Sequence, residues 1–440
     1  MTTTYDPFHP KYFDEADLRE ELVRVFDLCH GCRLCFKFCT SFPTLFELID
    51  RHDDQDAAKL TAAEQDQVVD ECFQCKLCYI NCPYIPGQSD WNLDFPRLMM
   101  RAEQVKVRNR RLSVKERLQN QALARTDLVG KVNTALAPIA NRAIGSTGTL
   151  TRRLMEKTVG IAAQRVLPPY ARQRFSTWFA RRGAPEPATV GRDQGRVALF
   201  ATCLVEYQSP QIGKDLVRVY ERNGISCDLP AGQVCCGAPW LHSGDVDRFV
   251  AQGRKNVEVL ADAVRQGHHI VVPQPTCGYV LKHDYVDYIG GPDAELVAAN
   301  TYDAAEYLMK VHADEGTALD TEFPGEIPDA LTYHAPCHLR AQNIGLKSRD
   351  LMALTGARIT VVAECSAIDG TWGYREQHYE DSRKVARKMA AAITKAGNDV
   401  VAGDCHLANG GILQETGTRP VHPISIVARA YGIPEEDRRP

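Results

Sequence analysis

The sequence predicts an α/β protein with an α-helical N-terminal module, and three observations lead to this fold class. One cysteine spacing occurs twice within residues 29–82. Residues 101–195 are strongly basic and show the apolar spacing of helices. From residue 196 onward, short apolar runs alternate with longer helical segments, which is typical of a parallel sheet covered by helices.

The repeated spacing is C-x2-C-x2-C-x3-C, and each copy supplies four cysteines. Bacterial ferredoxins bind 4Fe-4S clusters with such runs, and the fourth cysteine of each run ligates the other cluster. The sequence therefore predicts a two-cluster, ferredoxin-like helical domain over residues 1–100. Its ligand sets are Cys29, Cys32, Cys35 and Cys82 (set one) and Cys72, Cys75, Cys78 and Cys39 (set two).

Zinc and disulfides are the alternatives for these eight cysteines. Zinc sites usually take their ligands as two pairs, which a triplet followed by a fourth cysteine fits poorly. Disulfides require an oxidising compartment, and the N-terminus lacks the basic-then-apolar pattern of a secretory signal. No apolar run approaches the roughly 20 residues that span a bilayer. We therefore expect a cytoplasmic or peripheral protein with metal-ligating thiols.

The basic segment is the second observation. Residues 101–192 contain 19 Lys and Arg against 5 acidic residues, an excess of +14, which leaves −18 elsewhere in a chain of net charge −4. Basic residues beside Leu, Ile and Val are typical of amphipathic helices on an anionic membrane, although a solvated basic linker has the same pattern. No nucleic-acid recognition motif accompanies the charge. Residues 101–195 are predicted as a basic helical linker or membrane-surface segment that ends in a stretch containing Pro185 and Pro187.

The third observation is a duplicated pattern of cysteines that follow predicted strands. The cysteines are Cys203, Cys235 and Cys277 in the first copy, and Cys337, Cys365 and Cys405 in the second. Their intervals are 32 and 42 residues, then 28 and 40. Parallel sheets present ligands at the carboxyl ends of their strands. The pattern predicts a tandem-repeat α/β cysteine-rich domain, with repeat 1 over residues 196–325 and repeat 2 over residues 326–440.

The order of these motifs resembles the heterodisulfide reductase family and its cysteine-rich CCG domain. The resemblance rests on the double ferredoxin run, the Cys235-Cys236-Gly237 pair and the second tandem copy, and it covers residues 20–430. Related groups include iron-sulfur subunits of glycolate oxidase, lactate utilisation proteins and C subunits of anaerobic glycerol-3-phosphate dehydrogenases. The last group is most similar, because of the long basic segment and the stretch from Cys365 to Tyr374.

The resemblance implies further thiolate ligands in the repeats. Repeat 1 would use Cys203, Cys235, Cys236 and Cys277 for an additional iron-sulfur cluster, although Val280 replaces a fifth cysteine. Repeat 2 would use Cys337, Cys365 and Cys405, with Ser366 in place of the paired cysteine. His334, His338 or His406 could complete that second set, and zinc is an alternative to iron in both repeats. The remaining cysteine, Cys227, is predicted to be a buried strand residue.

Two functions fit these motifs. The first is an electron-transfer subunit that relays electrons from a flavoprotein dehydrogenase, of the glycerol-3-phosphate or 2-hydroxy acid type, to a quinone. No G-x-G-x-x-G motif follows a strand, so the substrate-oxidising flavin site is expected on another chain. The second is a soluble heterodisulfide reductase-like enzyme that acts on a disulfide or a peroxide-handling protein. A scaffold role explains the positioned thiols least well.

Overall fold

The computed structural model describes residues 5–183, 194–369 and 371–435, so the predicted proline-containing stretch with Pro185 and Pro187 lies outside the described residues. The N-terminal part is helical. Its helices are α1 (Glu15–Cys32), α2 (Ser41–Asp50), α3 (Ala62–Asp70), α4 (Leu77–Ile80) and α5 (Phe95–Arg108). Asp14 caps α1 by accepting the backbone N–H of Asp17, and a capping box of Thr61 and Glu64 begins α3.

A single apolar core holds these helices together. Phe42 of α2 packs on Phe95 of α5 with ring centroids 4.6 Å apart, and Leu22 and Phe26 of α1 are fully buried beside them. Arg101 of α5 is also fully buried, because it donates to the Tyr12 carbonyl at 2.7 Å and pairs with Asp17 at 2.8 Å. A buried arginine needs such partners, and these tie α5 to the start of the chain.

The basic segment folds into five short helices. They are α6 (Val114–Ala124), α7 (Thr126–Ala135), α8 (Ala137–Ile144), α9 (Leu150–Val159) and α10 (Phe175–Arg181). The sequence pattern predicts longer helices over residues 105–123 and 150–166, but local signals divide them. Ser113 and Glu116 form a capping box that begins α6, and Gly160 ends α9 in the left-handed region at φ 66°.

Helices α6 to α9, named here the helical cap, pack on the C-terminal domain and do not extend as a free linker. Two of their neighbouring basic side chains are buried. Arg152 donates to the carbonyls of Ala162 and Arg165 at 2.9 and 2.8 Å, and Arg165 donates to the Ser382 hydroxyl at 2.8 Å. Part of the predicted surface charge therefore stabilises the fold internally, because guanidinium groups can satisfy several carbonyls at once.

The C-terminal part contains two parallel sheets with matching topology. Repeat 1 has the order β2-β1-β3-β4, and repeat 2 has the order β6-β5-β7. The strands are β1 (Gly195–Leu199), β2 (Ile225–Asp228), β3 (His269–Val272), β4 (Thr301–Asp303), β5 (Ala330–His334), β6 (Arg358–Val362) and β7 (Val400–Gly403). The first three strands of each repeat have the same order, as expected for a duplication. Cys227 is a buried residue of β2, as predicted.

Helices cover both sheets. Repeat 1 contains α11 (Cys203–Tyr207), α12 (Pro210–Arg222), α13 (Ala238–His242), α14 (Val246–Arg265), α15 (Pro275–Tyr279), α16 (Tyr285–Tyr288), α17 (Gly291–Ala299) and α18 (Ala304–Ala313). Repeat 2 contains α19 (Cys337–Ala341), α20 (Lys347–Ala353), α21 (Tyr379–Ala396), α22 (His406–Thr416) and α23 (Pro423–Ala430). One buried cluster includes Leu199 and Leu216 together with Leu331 and Ile424, so the two repeats share a core.

Candidate functional site

The four cysteines of set one lie around the end of α1. Cys29 and Cys32 are on its last turns, Cys35 is in the following loop, and Cys82 follows α4. Arg33 ends α1 in the left-handed region and donates its backbone N–H to the Cys29 carbonyl. Burial raises the pKa of Cys29 well above its usual value, and the neighbouring Cys35, Cys82 and Cys32 raise it further. The structure thus brings set one together, with Cys32 exposed to solvent.

Set two is more enclosed. Cys39, Cys72, Cys75 and Cys78 border a cavity of about 10 Å³ whose wall also contains Phe73 and Lys76. Gln74 and Lys76 have φ values of 50° and 63°, a left-handed conformation that turns the backbone around the cavity. Burial raises the pKa of Cys78 strongly, with further contributions from Cys75, Cys39 and Cys72. The fourth cysteine of each run therefore lies with the three cysteines of the other run.

Repeat 1 gathers its four cysteines at the carboxyl edge of its sheet. The Cys203 and Cys235 sulfurs are 3.9 Å apart. Contact with the thiols of Cys235 and Cys277, and then burial, raises the pKa of Cys236 strongly. Gly237 must follow the pair, because its φ is 90° and a Cβ there would lie 2.8 Å from the Phe249 ring.

Several buried side chains hold the backbone of the cysteine pair. Gln252 donates to the Cys235 carbonyl at 2.6 Å, and the Tyr285 hydroxyl donates to the Cys236 carbonyl at 2.9 Å. The Asp127 carboxylate of α7 accepts the Cys235 N–H at 2.8 Å. This last bond connects the helical cap directly to the repeat 1 thiols.

A cavity of about 350 Å³ lies between the helical cap and repeat 1. All four repeat 1 cysteines line it, and the opposite wall is mainly apolar, with Leu123, Val129, Ile144, Met155 and Val159. The outer face of the same helices is exposed and apolar, with Val114, Leu118, Leu128, Val132, Leu136, Ile139, Leu150 and Leu154 at the surface. The cap therefore presents one apolar face to the thiols and another to the outside.

Repeat 2 has a smaller site with different neighbours. The Cys337 and Cys365 sulfurs are 3.6 Å apart, and both line a cavity of about 40 Å³ together with Cys405 and Cys75 of set two. Contact with the Cys337 thiol is the main cause that raises the pKa of Cys75, ahead of burial. The three predicted repeat 2 cysteines are brought together, and they lie directly against set two.

The cavities form a continuous series. Phe73 and Cys75 line both the set two cavity and the repeat 2 cavity. Thr276 and Asp369 line both the repeat 2 cavity and the large cavity. Asp369 accepts a hydrogen bond from His242 at 3.1 Å, and the charge of His242 helps to hold its pKa low although burial acts to raise it. Repeat 2 thus lies between set two and repeat 1.

The three histidines considered for repeat 2 differ in availability. Both ring nitrogens of His338 have partners, namely the Thr276 hydroxyl at 2.9 Å and the Gln74 carbonyl at 2.8 Å. His334 bonds the Glu364 carbonyl through Nε2, whereas its Nδ1 and the Nε2 of His406 are buried without a protein partner in the described structure. Burial lowers the pKa of all three histidines to about 4, so each is a neutral imidazole.

The donor sets fit iron-sulfur clusters by their chemistry, since each consists of thiols around an enclosed space and clusters are held by thiolates. Among the described residues, no three His, Cys, Asp or Glu side chains have the arrangement of a single-ion site. Two contacts were not expected from the sequence, namely that of Cys75 with Cys337 and the bond from Gln274 to the Cys405 sulfur at 3.4 Å. Neither contact has a local signal, because each joins segments that are distant in the chain.

Comparison with known proteins agrees with these two kinds of site. Residues 21–111 match a family described as a 4Fe-4S dicluster domain, and residues 197–282 and 331–407 match a cysteine-rich domain family called CCG. The C subunits of anaerobic glycerol-3-phosphate dehydrogenase from Escherichia coli K12 and O157:H7 are both 30% identical over 71% of this chain and 77% of their own length. One subunit of the fumarate reductase (CoM/CoB) of Methanothermobacter marburgensis is 30% identical over 49% and 42%, respectively. Lactate utilization protein A of Oceanobacillus iheyensis is 26% identical over 50% and 91%.

Proposed function

Because the chain belongs to the heterodisulfide reductase-related iron-sulfur proteins with CCG domains, the family that includes the C subunits of anaerobic glycerol-3-phosphate dehydrogenases, we propose that it carries electrons from a flavoprotein dehydrogenase to a membrane quinone. Its relatives are iron-sulfur subunits of oxidoreductases, and electron transfer in an oxidoreductase is the role that this chain shares with them. The partner would be of the glycerol-3-phosphate or 2-hydroxy acid type.

Sets one and two would each hold one 4Fe-4S cluster, and the repeat 1 and repeat 2 cysteines would hold further clusters. Such clusters supply one-electron transfer. The protein around them supplies the enclosure, since most of these thiols are buried or half-buried. The partner oxidises its substrate by removing two electrons and two protons, and the quinone takes up two electrons and two protons to become a quinol.

The two ends of the series of thiols differ in exposure. Cys32 of set one is exposed, with Leu34 and Phe36 exposed next to it in the same loop, so this end is accessible to a redox partner. The repeat 1 thiols are buried beneath the cap and face the large apolar cavity. We assign electron entry to set one and delivery to the cavity, with set two and repeat 2 between them.

The observation that carries the quinone proposal is the two-sided helical cap. Its outer face combines exposed apolar side chains with exposed Lys115, Arg117, Lys131 and Arg153, a combination that suits an anionic membrane surface. Each such basic residue near the surface contributes about 1 kcal/mol. None of the described helices has the length and hydropathy needed to cross a bilayer. A quinone in the membrane would then lie on the other side of one layer of helices from the repeat 1 thiols.

The proposal is tested by loading and turnover. The protein is purified anaerobically, and iron, acid-labile sulfide and zinc are measured per chain, with electron paramagnetic resonance of the dithionite-reduced sample. We expect at least about eight irons, the content of two 4Fe-4S clusters, and reoxidation of the reduced protein by menadione. Reduced protein that reacts with a disulfide substrate but not with menadione would instead favour the heterodisulfide reductase-like function.

Membrane binding is tested separately by flotation with vesicles that contain anionic phospholipid. The double variant Leu150→Glu/Leu154→Glu places charge on the outer face of α9, and we expect it to lose vesicle binding. Val361→Glu is the matched control, since Val361 is an exposed apolar residue of β6 outside the cap. Equal flotation of both variants would contradict the assigned membrane face.

A further inference from the structure

The large cavity has a polar corner opposite its apolar helices. Three side chains form this corner, namely Asn133 of α7, Tyr170 of the segment after α9, and Gln208, which follows α11. The amides of Asn133 and Gln208 lie in hydrogen-bonding contact with the Tyr170 hydroxyl, which limits the rise that burial causes in its pKa. The corner therefore places a hydroxyl and two amides in a space with mainly apolar walls.

The backbone behind the polar corner is held in place before any ligand binds. The Tyr170 N–H donates to the Asn141 side-chain oxygen at 2.8 Å, and the Asn141 amide donates to the Tyr170 carbonyl at 2.9 Å. The Gln208 N–H donates to the Leu204 carbonyl at 2.9 Å. A site that is ordered in advance binds its ligand at a lower entropic cost.

One atom of the corner lacks a partner among the described residues. The Oε1 atom of Gln208 is buried and accepts no hydrogen bond there. Buried acceptors are normally satisfied, so an unpaired one in a cavity wall indicates where a ligand donor would bind. The Tyr170 hydroxyl can donate as well as accept. The corner thus offers one donor and one acceptor to a single ligand oxygen.

Taking the quinone acceptor proposed above as its basis, we infer that Tyr170 and Gln208 bind one ring oxygen of that quinone. The Tyr170 hydroxyl donates to the carbonyl of the oxidised form. The Gln208 oxygen accepts the hydroxyl of the quinol, which forms when the quinone gains two electrons and two protons. The ring lies among Leu123, Val129 and Met155, beside the repeat 1 thiols.

The test measures binding to the iron-loaded, oxidised protein by anaerobic equilibrium dialysis. The probes are menadione and 2-methylnaphthalene, which has the same ring system and methyl group but no oxygen. Tyr170→Phe should weaken menadione binding by about three- to tenfold, the size of one lost hydrogen bond. The same variant should bind 2-methylnaphthalene as the unmodified protein does, since the apolar wall is unchanged.

Two control variants make the result decisive. Tyr302→Phe removes a hydroxyl on β4, outside the cavity, and should leave both affinities unchanged. Met155→Trp fills the cavity and should block both probes. Normal menadione binding by Tyr170→Phe would overturn this inference while leaving the quinone acceptor in place. Equal weakening of both probes would show a packing role and would also overturn it. If the unmodified protein binds no menadione, the inference and the proposed acceptor both fail.

Discussion

Repeat 1 and repeat 2 have the same strand order and a similar cysteine spacing, yet they form different sites. In repeat 1 four thiols face a cavity of about 350 Å³ under the helical cap. In repeat 2 three thiols face a cavity of about 40 Å³ that is closed by Phe73 and Cys75 of the N-terminal domain. The difference arises from what covers the carboxyl edge of each sheet. Duplication supplied the ligand positions, and the covering element made one site a binding cavity and the other an internal link.

The largest expected effect concerns the cysteine pair that only repeat 1 has. Cys236→Ala removes one of four buried thiols, so we expect the variant to lose the iron of repeat 1, about four atoms for a 4Fe-4S cluster. Cys365→Ala tests the corresponding position of repeat 2. Cys227→Ala is the matched control, because Cys227 is buried in β2 outside both sets. Unchanged iron content in Cys236→Ala would show that the two repeats do not differ as proposed.

The second prediction concerns the contact that only repeat 2 makes with the N-terminal domain. Trp372 packs on Phe73 at 5.1 Å and stacks on His378 at 4.5 Å, and it donates to the Asp70 carbonyl at 2.7 Å. Trp372→Ala should lower the free energy of unfolding by about 3–5 kcal/mol, measured by denaturant titration. Trp372→Phe keeps most of the packing and should cost about 1 kcal/mol for the lost hydrogen bond, plus the smaller ring. A cost below 1 kcal/mol for the alanine variant would mean that this contact does not hold the two parts together.

The third prediction concerns pH and the place where the two repeats meet. Asp303 ends β4 and Asp404 follows β7, and burial, together with the charge of Asp404, raises the pKa of Asp303 to about 7. The folded state thus holds a proton that the unfolded state releases near pH 4, so stability falls as pH rises from about 4 to 7.

Asp303→Asn keeps the side-chain oxygen that accepts the Ala305 N–H and removes the charge. At pH 8 the variant should be more stable than the unmodified protein by on the order of 2 kcal/mol, and the dependence on pH should be weaker. Asp245→Asn is the control, because Asp245 caps α14 in the same way while its side chain is 27% exposed. Identical pH profiles for Asp303→Asn and the unmodified protein would contradict the prediction.

The smallest expected effect concerns set two, the neighbour of repeat 2. Lys76 is buried there, donates to the Gln74 side chain at 3.1 Å, and its charge counteracts the raised pKa of both Cys72 and Cys75. A positive charge favours the reduced, more negative form of a cluster, so Lys76→Met should lower the midpoint potential of set two by on the order of 50 mV. The measurement is a redox titration followed by electron paramagnetic resonance. Lys37→Met, at an exposed lysine near set one, should shift its potential less.

Much of the local structure was predictable from the sequence. The strand β3 was expected at its observed bounds, and the other cysteine-bearing strand ends were expected within one or two residues. The strand β4 was missed because its three residues show no alternation. The basic segment was predicted as helical, but its burial of Arg152 and Arg165 was not, since the carbonyls that accept from Arg152 and the Ser382 hydroxyl that accepts from Arg165 are identified only by the fold.

The sequence by itself determined the chemistry of the sites, because cysteine spacing is a local property that sets which thiols can share a cluster. It also determined the duplication, since equal intervals follow equal lengths of strand and helix. Only the tertiary structure decided that Cys75 meets Cys337, that repeat 2 lies between set two and repeat 1, and that the cap encloses a cavity over the Cys235 pair. These features depend on which apolar faces pack together across distant segments, and residue spacing along the chain carries no record of that choice.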